Sequence, residues 1–260
     1  SAGNEHLRQN VFHRLCDQRV HLPGIHGPRH YEAADASELF DPVKTQAKVT
    51  REVLVGFSCG KDSIVTLDLC FRHFDRVQPF FMSYVPGMEF QEAVIRKYER
   101  KYGVNCIRIP HFETSDFFRY GTYREEDPHV PIVSIRDVYA YLRNETGIYW
   151  IACGERMADS IVRRAMLKKS GSIDEKRGRF FPLIYWTKGN VMDYVRVHGL
   201  RLPREYDRIQ HSFRSLSDAD VAMVKNFFPE DYKKLLRLYP LAEAAAFREE
   251  QRHAKQVSDV

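Results

Sequence analysis

The apolar positions between residues 50 and 206 follow two alternating periodicities. Short β-prone runs at 53–57, 78–85, 104–109 and 149–153 read as strands buried on both faces. Between them, Ile64, Val65, Leu67, Leu69, Cys70, Phe71 and Phe74 give the dense spacing of a helix packed on a sheet. Over 88–102, Phe90, Val94, Ile95, Tyr98 and Tyr102 form an inward stripe, Arg96, Lys97, Glu99 and Arg100 face outward, and Gly103 is placed as a C-cap. Ser134-Ile135-Arg136-Asp137 has capping-box spacing and opens a helix through Val138 and Leu142. Thr187 is placed as the N-cap of a further helix with Val191, Tyr194 and Val195 buried and Gly199 as its stop. Strands joined by helices require parallel pairing and right-handed crossovers. The pattern therefore predicts an α/β fold, a doubly wound, mainly parallel sheet with helices on both faces.

The flanks read differently, and divide the chain into 1–49, 50–206 and 207–260. Residues 1–49 form a basic, irregular extension, with a helix over 7–20, a Gly/Pro-broken loop over 22–28, and a helix started by Asp41-Pro42 that leads into the first strand. Residues 207–260 form a helical extension: Ser217 to Asp220 has capping-box spacing, Pro229 starts a second helix, and Pro240 separates a third. This tail packs beside the sheet or mediates association, including homo-oligomer formation. Residues 111–131, rich in aromatics, read as a lid or substrate arm, or as aromatic packing under a loop. Residues 168–179 read as a mobile basic loop that folds over a polyanion, or as a solvated loop.

Composition narrows the class. With 260 residues, 43% hydrophobic and 29% charged, the chain can build one sizeable core with additions. A net charge of +5 and a pI of 8.9 permit an anionic ligand, and clustering decides whether nucleic acid is a partner. The five cysteines, Cys16, Cys59, Cys70, Cys106 and Cys153, form no Cys-x-x-Cys pair. That argues against a disulfide framework, a zinc site or an iron–sulfur site, and points to a reducing, cytoplasmic setting. No run of about 18 apolar residues suggests a membrane span.

The chemistry concentrates where the first strand turns into its helix, at Ser58-Cys59-Gly60-Lys61-Asp62-Ser63. Such a turn aims backbone N–H groups at one point beside the positive end of the helix dipole, which suits a phosphate. Gly60 admits an anion close to the backbone, Ser58 and Ser63 offer hydroxyls, and Lys61 supplies a charge. Asp62 would repel phosphate, so its expected use is to hold Mg²⁺. The spacing is not that of the Walker loop.

The turn resembles the PP-loop, Ser-Gly-Gly-Lys-Asp-Ser, of the ATP pyrophosphatase and sulfonucleotide reductase superfamily. Cys59 stands where that pattern has its first glycine, and its side chain is expected to narrow the phosphate cradle. Where the superfamily carries an Asp-Thr-Gly-like segment after the second strand, this chain has Tyr84-Val85-Pro86-Gly87-Met88-Glu89. It keeps Gly87 and leaves nucleoside contact to backbone groups or Tyr84, with Glu89 facing solvent.

A second constellation follows the 149–153 strand: Gly154-Glu155-Arg156-Met157-Ala158-Asp159-Ser160-Ile161-Val162-Arg163-Arg164. In a doubly wound sheet this loop opens on the same crevice as the first turn, and its guanidinium groups can clamp phosphate or sulfate bidentately. It resembles the Gly-x-Arg-x-x-(Asp/Glu)-Ser-x-x-Arg motif of the phosphoadenylylsulfate reductase family, which includes the small subunit of ATP sulfurylase. The likeness continues through Phe181 to Thr187 and on to Val191, Tyr194, Pro203 and Tyr206.

The resemblance implies an adenine-nucleotide site made of Ser58, Cys59, Gly60, Lys61, Ser63, Tyr84, Gly87, Gly154 and Arg164. Lys61, Asp62, Arg156 and Arg163 would act in catalysis, with ATP and Mg²⁺ as cofactors. Reductases of this family use a cysteine near the C-terminus, and no cysteine follows Cys153 among these 260 residues. The leading expectation is ATP cleavage to AMP and pyrophosphate with adenylylation of an acceptor: sulfate, a nucleic-acid base or a small metabolite. The alternatives are a silent nucleotide-binding module, or a sulfonucleotide reductase supplied with an external thiol.

Overall fold

The computed structural model describes residues 41–203, 206 and 213–258. The helix expected over 7–20, the loop over 22–28 and Cys16 lie outside the described residues. The first described element is α1 (Asp41–Val49), as the Asp41-Pro42 start predicts, and it leads into β1 (Glu52–Gly56). Then come α2 (Lys61–His73), β2 (Arg76–Ser83), α3 (Glu89–Tyr102), β3 (Ile107–Pro110) and α4 (Glu113–Arg119). After α5 (Ile135–Thr146) and β4 (Ile151–Ala152) follow α6 (Ile161–Ser170), β5 (Ile173–Asp174), β6 (Arg179–Phe180) and α7 (Lys188–Val197). The tail carries α8 (Asp218–Phe227), α9 (Pro229–Leu238) and α10 (Glu243–Ser258).

The sheet runs β3-β2-β1-β4-β6-β5. All neighbours are parallel except the β5–β6 edge pair. Strand order therefore reverses at β1: β2 lies on one side and β4 on the other, which puts the crevice at their carboxyl ends. The central strand is apolar on both faces because both are covered. Val53 and Val55 pack into one core layer with α2 and α7, and Leu54 packs into the other with α5.

Several local expectations hold for stated reasons. Ser134 and Asp137 cap α5 reciprocally, Thr187 and Asn190 do the same for α7, and Ser217 caps α8. Gly103 ends α3 in the left-handed region at φ +65°. Two expectations need correction. Residues 168–179 are no mobile loop: they finish α6 and form the β5–β6 hairpin, held because buried Asp174 accepts from the Arg177 amide and pairs with Arg177 and Arg179. For residues 111–131 the aromatic-packing alternative holds in place of the lid or substrate arm. They contain α4, whose Phe117 and Phe118 meet Tyr239 edge-on.

That contact belongs to a separate core in which the tail helices close over the end of β2. Tyr84, Val85, Met88 and Phe90 pack with Phe213, Val221, Val224, Leu235 and Tyr239. Asp231 on α9 is buried and accepts from the Glu89 and Phe90 amides at 2.8 and 3.1 Å, so a tail carboxylate caps α3. Lys234 bridges Asp231 to the Gly87 carbonyl. Among the described residues no helix is long and apolar enough to cross a membrane.

Candidate functional site

The turn after β1 begins with Phe57, whose amide continues the ladder to β2 and whose ring is buried. Ser58 then emerges to solvent, Cys59 turns inward, and Gly60 is the N-cap of α2. Among the described residues no side chain accepts from the first amides of this helix. The first-turn amides have no partner within a helix by construction, so this end offers donors and dipole to an anion. The Ser63 hydroxyl donates to the Gly60 carbonyl at 2.9 Å, and the residue is buried. It shapes the turn and does not present its hydrogen to a ligand.

Cys59 adopts φ +64°, the conformation that favours glycine. Its side chain is buried in the core, with Sγ 3.8 Å from the Gln91 carbonyl. The expected narrowing of the cradle is thereby corrected: the extra atoms point into the core, and the backbone carries the strain, about 1 kcal/mol.

The loop after β4 lies directly on this turn. A Cβ on Gly154 would come 3.3 Å from Thr66 Oγ1, 3.5 Å from the Asp62 carbonyl carbon and 3.5 Å from the Ser63 nitrogen. Two residues on, Arg156 reaches across with only 6% of its side chain exposed. Its Nε is 3.0 Å from Asp62 Oδ1 and its Nη2 donates to Asp159 at 2.6 Å, while Nη1 approaches the Trp186 carbonyl at 3.5 Å. The Asp62 contact is close but poorly aligned, so neither Asp62 Oδ1 nor Arg156 Nε completes a hydrogen bond. Asp62 Oδ2 pairs with Lys61. Lys61, Asp62 and Arg156 therefore meet across the β1–β4 switch point, as the two motifs predict.

In the unliganded arrangement the Asp62 carboxylate meets cations of the protein itself. Both of its oxygens face cations, and among the described residues no group of three or more His, Cys, Asp or Glu could hold an ion. Mg²⁺ in nucleotide sites leans on one or two carboxylates plus substrate phosphates, so a role for Asp62 there would require phosphates first to take over Lys61 and Arg156.

The other expected residues divide. Arg163 and Arg164 stand exposed on the first turn of α6, which Ser160 caps. Arg163 lies 3.7 Å from Glu155, and Arg164 donates to the Met157 carbonyl at 3.3 Å. Gly87 takes φ +71° with open space around it, and its carbonyl is held by Lys234. Tyr84 is a correction. Its ring is buried between His111 and Phe117, and its hydroxyl donates to Glu113 at 2.6 Å. Burial and the Glu113 charge push its pKa well up, so the phenol stays neutral and bound within the protein. Glu89 does face solvent, pairing with Arg96.

Two participants carried no role in the motif reading. Asp159 orients Arg156 through both its side chain and the Arg156 amide, and the i,i+3 Arg–Asp spacing is the trace it leaves in the sequence. Tyr206 is buried close enough to the pair that Asp62 raises its pKa, after burial itself, while Arg156 opposes the shift.

Comparison with known proteins adds to this geometry. Residues 52–221 match the family described as the phosphoadenosine phosphosulfate reductase domain. An uncharacterized protein of Methanocaldococcus jannaschii is 24% identical over 199 residues, 68% of this chain, and this chain spans 45% of its length. Among solved structures, phosphoadenylyl-sulfate reductase from Candida auris in a phosphate complex is 14% identical, with TM-score 0.46, over 66% of this chain and 85% of that one. The NH3-dependent NAD synthetase of Campylobacter jejuni is 13% identical, with TM-score 0.45, over 82% and 93%. The U34-tRNA thiolase of Methanococcus maripaludis, solved with its [4Fe-4S] cluster, is 16% identical, with TM-score 0.44, over 79% of each chain.

Proposed function

The chain belongs to the phosphoadenosine phosphosulfate reductase domain family, and from that premise we propose that it binds ATP at the β1–β4 switch point and transfers the adenylyl group to an acceptor. The observation that carries this reading is the meeting of Lys61 and Arg156, from two separate loops, around the uncapped start of α2. The β and γ phosphates would take the first-turn amides and displace Asp62 from the two cations. An acceptor oxygen then forms a bond to the α-phosphorus as the bridging bond to the β-phosphate breaks, and pyrophosphate leaves with the electron pair. Lys61 and Arg156 stabilise the charge gathering on that leaving group, with Arg163 and Arg164 at the rim. No step here is routed through a metal ion.

A second reading, a nucleotide-holding module without turnover, is favoured by one feature. Asp62 and Asp159 together already balance Lys61 and Arg156, so the resting site is charge-compensated without ligand. Incubation with α-labelled ATP and candidate acceptors separates the two. Release of pyrophosphate with label on the acceptor, or as AMP after hydrolysis, supports transfer, and recovery of bound, intact ATP supports the module. Sulfite released from a sulfonucleotide only on addition of a thiol would replace both with the reductase reading.

A further inference from the structure

The arm formed by α6 stands apart from the sheet. In a doubly wound fold the helix after a strand ordinarily crosses a sheet face to the amino edge, and α6 does not. It leaves the carboxyl end of β4 and returns to that same edge, since Ile173 pairs with Phe180, the last residue of β6, and the Phe181 amide donates to the Ser172 carbonyl at 2.9 Å. Leu167 is the one residue of the helix that is buried. Ile161 is 84% and Val162 79% exposed, at the mouth of the crevice.

The charge of this arm is one-sided. Arg163, Arg164, Lys168 and Lys169 lie on its ten residues with no carboxylate, against an excess of +5 for all 260 residues. Carboxylates flank it on both sides: on the preceding loop Asp159 is committed to Arg156 and Glu155 faces Arg163 at 3.7 Å, and on the following hairpin Asp174 is committed to Arg177 and Arg179 beside exposed Glu175. Among the described residues Lys168 and Lys169 have no ion-pair partner. An exposed aromatic lies close by: Arg164 bonds the Met157 carbonyl, the Met157 amide bonds the Ile184 carbonyl at 3.0 Å, and the next residue, Tyr185, is 53% exposed. Lys188 follows at the start of α7 on the same edge.

We propose that α6 and Tyr185 form a docking surface for a single-stranded nucleic acid, which presents the acceptor to the crevice. The helix is about 15 Å long and carries four cations, so a strand laid over it can have up to about four phosphates neutralised. Tyr185 provides a face on which a base stacks, and Ile161 and Val162 provide apolar contact for sugars and bases. The role of acceptor rests on the adenylyl-transfer reading; the docking surface does not.

The test is fluorescence anisotropy with fluorescein-labelled 12-nucleotide DNA and RNA strands, beside calorimetry with ATP. The expected result is binding whose log affinity falls with log salt at a slope of about −3, from about four neutralised phosphates. The Lys168→Ala/Lys169→Ala variant should halve that slope and leave ATP affinity unchanged. Tyr185→Ala should weaken strand binding about 5- to 150-fold with the slope retained. The sugar of the tighter strand identifies the acceptor as DNA or RNA. No binding of either strand near 50 mM salt, or an unchanged slope in the double-lysine variant, overturns the proposal. Displacement by polyglutamate as effective as by unlabelled strand also overturns it, and assigns the arm to an acidic protein. Strand binding without ATP binding would leave this surface standing and sink the proposed function; ATP binding without strand binding would do the reverse.

Discussion

Arg156 is the position at which the site reasoning is most exposed to test. Replacing it by Met removes the guanidinium from between Asp62 and Asp159 while keeping most of its volume. Breaking a fully buried ion pair on one side costs about 3–5 kcal/mol. Here the two carboxylates keep 26% and 24% of their side-chain surface, and Lys61 still faces Asp62, so the stability loss should be smaller, about 2 kcal/mol. For a chain of this size that lowers the melting temperature by about 4–8 °C. Loss of one charge-assisted phosphate contact, about 1.5–3 kcal/mol, should raise the Kd for ATP about 10- to 150-fold. Arg156→Lys keeps the charge but not the fork, so it should hold one carboxylate and recover only part of both losses. Adding Asp62→Asn closes a double-mutant cycle, in which the two substitutions should couple by at least about 0.5 kcal/mol. Calorimetry and thermal melts read both quantities. ATP binding by Arg156→Met within about twofold of the parent, or strict additivity with Asp62→Asn, would mean that Arg156 neither contacts the nucleotide nor couples to Asp62.

Other consequences follow from the same geometry. Burial alone would raise the pKa of Asp68, but hydrogen bonds from Tyr102, Arg72 and Lys101 outweigh it and hold it at about 2 against an ordinary 3.8. A depressed folded pKa contributes stability above the unfolded value, so about 2 kcal/mol should be present above about pH 4 and lost as pH falls through about 2; acid unfolding of Asp68→Asn should lack this component. Cys59→Gly should stay within about 1 kcal/mol of the parent, because relief of the φ +64° strain offsets the lost burial, whereas the β-branched Cys59→Val should cost about 2 kcal/mol or more in urea unfolding. Asp231→Ala should lose about 1–2 kcal/mol by uncapping α3, and should speed proteolytic release of the tail relative to cleavage within the sheet.

The mainly parallel sheet and the meeting of the two loops were legible because both depend on local patterns. Strand and helix periods fix the parallel series, and a doubly wound series brings the β1 and β4 loops to one crevice whatever their distance in sequence. The β5–β6 hairpin was not legible, since it is built of four residues and depends on buried Asp174 meeting two arginines. Tyr84 was misread for a related reason. It sits where a nucleoside contact belongs in the motif, but its partners Phe213 and Tyr239 are supplied by the tail more than 120 residues later, and no local spacing announces them. Asp62 shows the same limit at shorter range, because nothing in its own loop announces the guanidinium that Arg156 brings to 3.0 Å from the loop after another strand.

The tail also bears on why the proposed anion position falls at the start of α2. Five helices leave the carboxyl ends of the parallel strands, and each begins with amides that a phosphate or carboxylate could take. At α3 they meet Asp231, at α4 the Glu113 amide meets His111 Nδ1, at α6 Ser160 accepts, and at α7 Thr187 and Asn190 cap reciprocally. Among the described residues α2 alone of the five starts without a side-chain acceptor, and it is the one flanked by Lys61 and Arg156. A phosphate chain entering the crevice therefore finds one vacant set of donors with cations on two sides. The specificity lies as much in the four ends that are filled as in the one left open, and a carboxylate 170 residues beyond Lys61 helps to fill them.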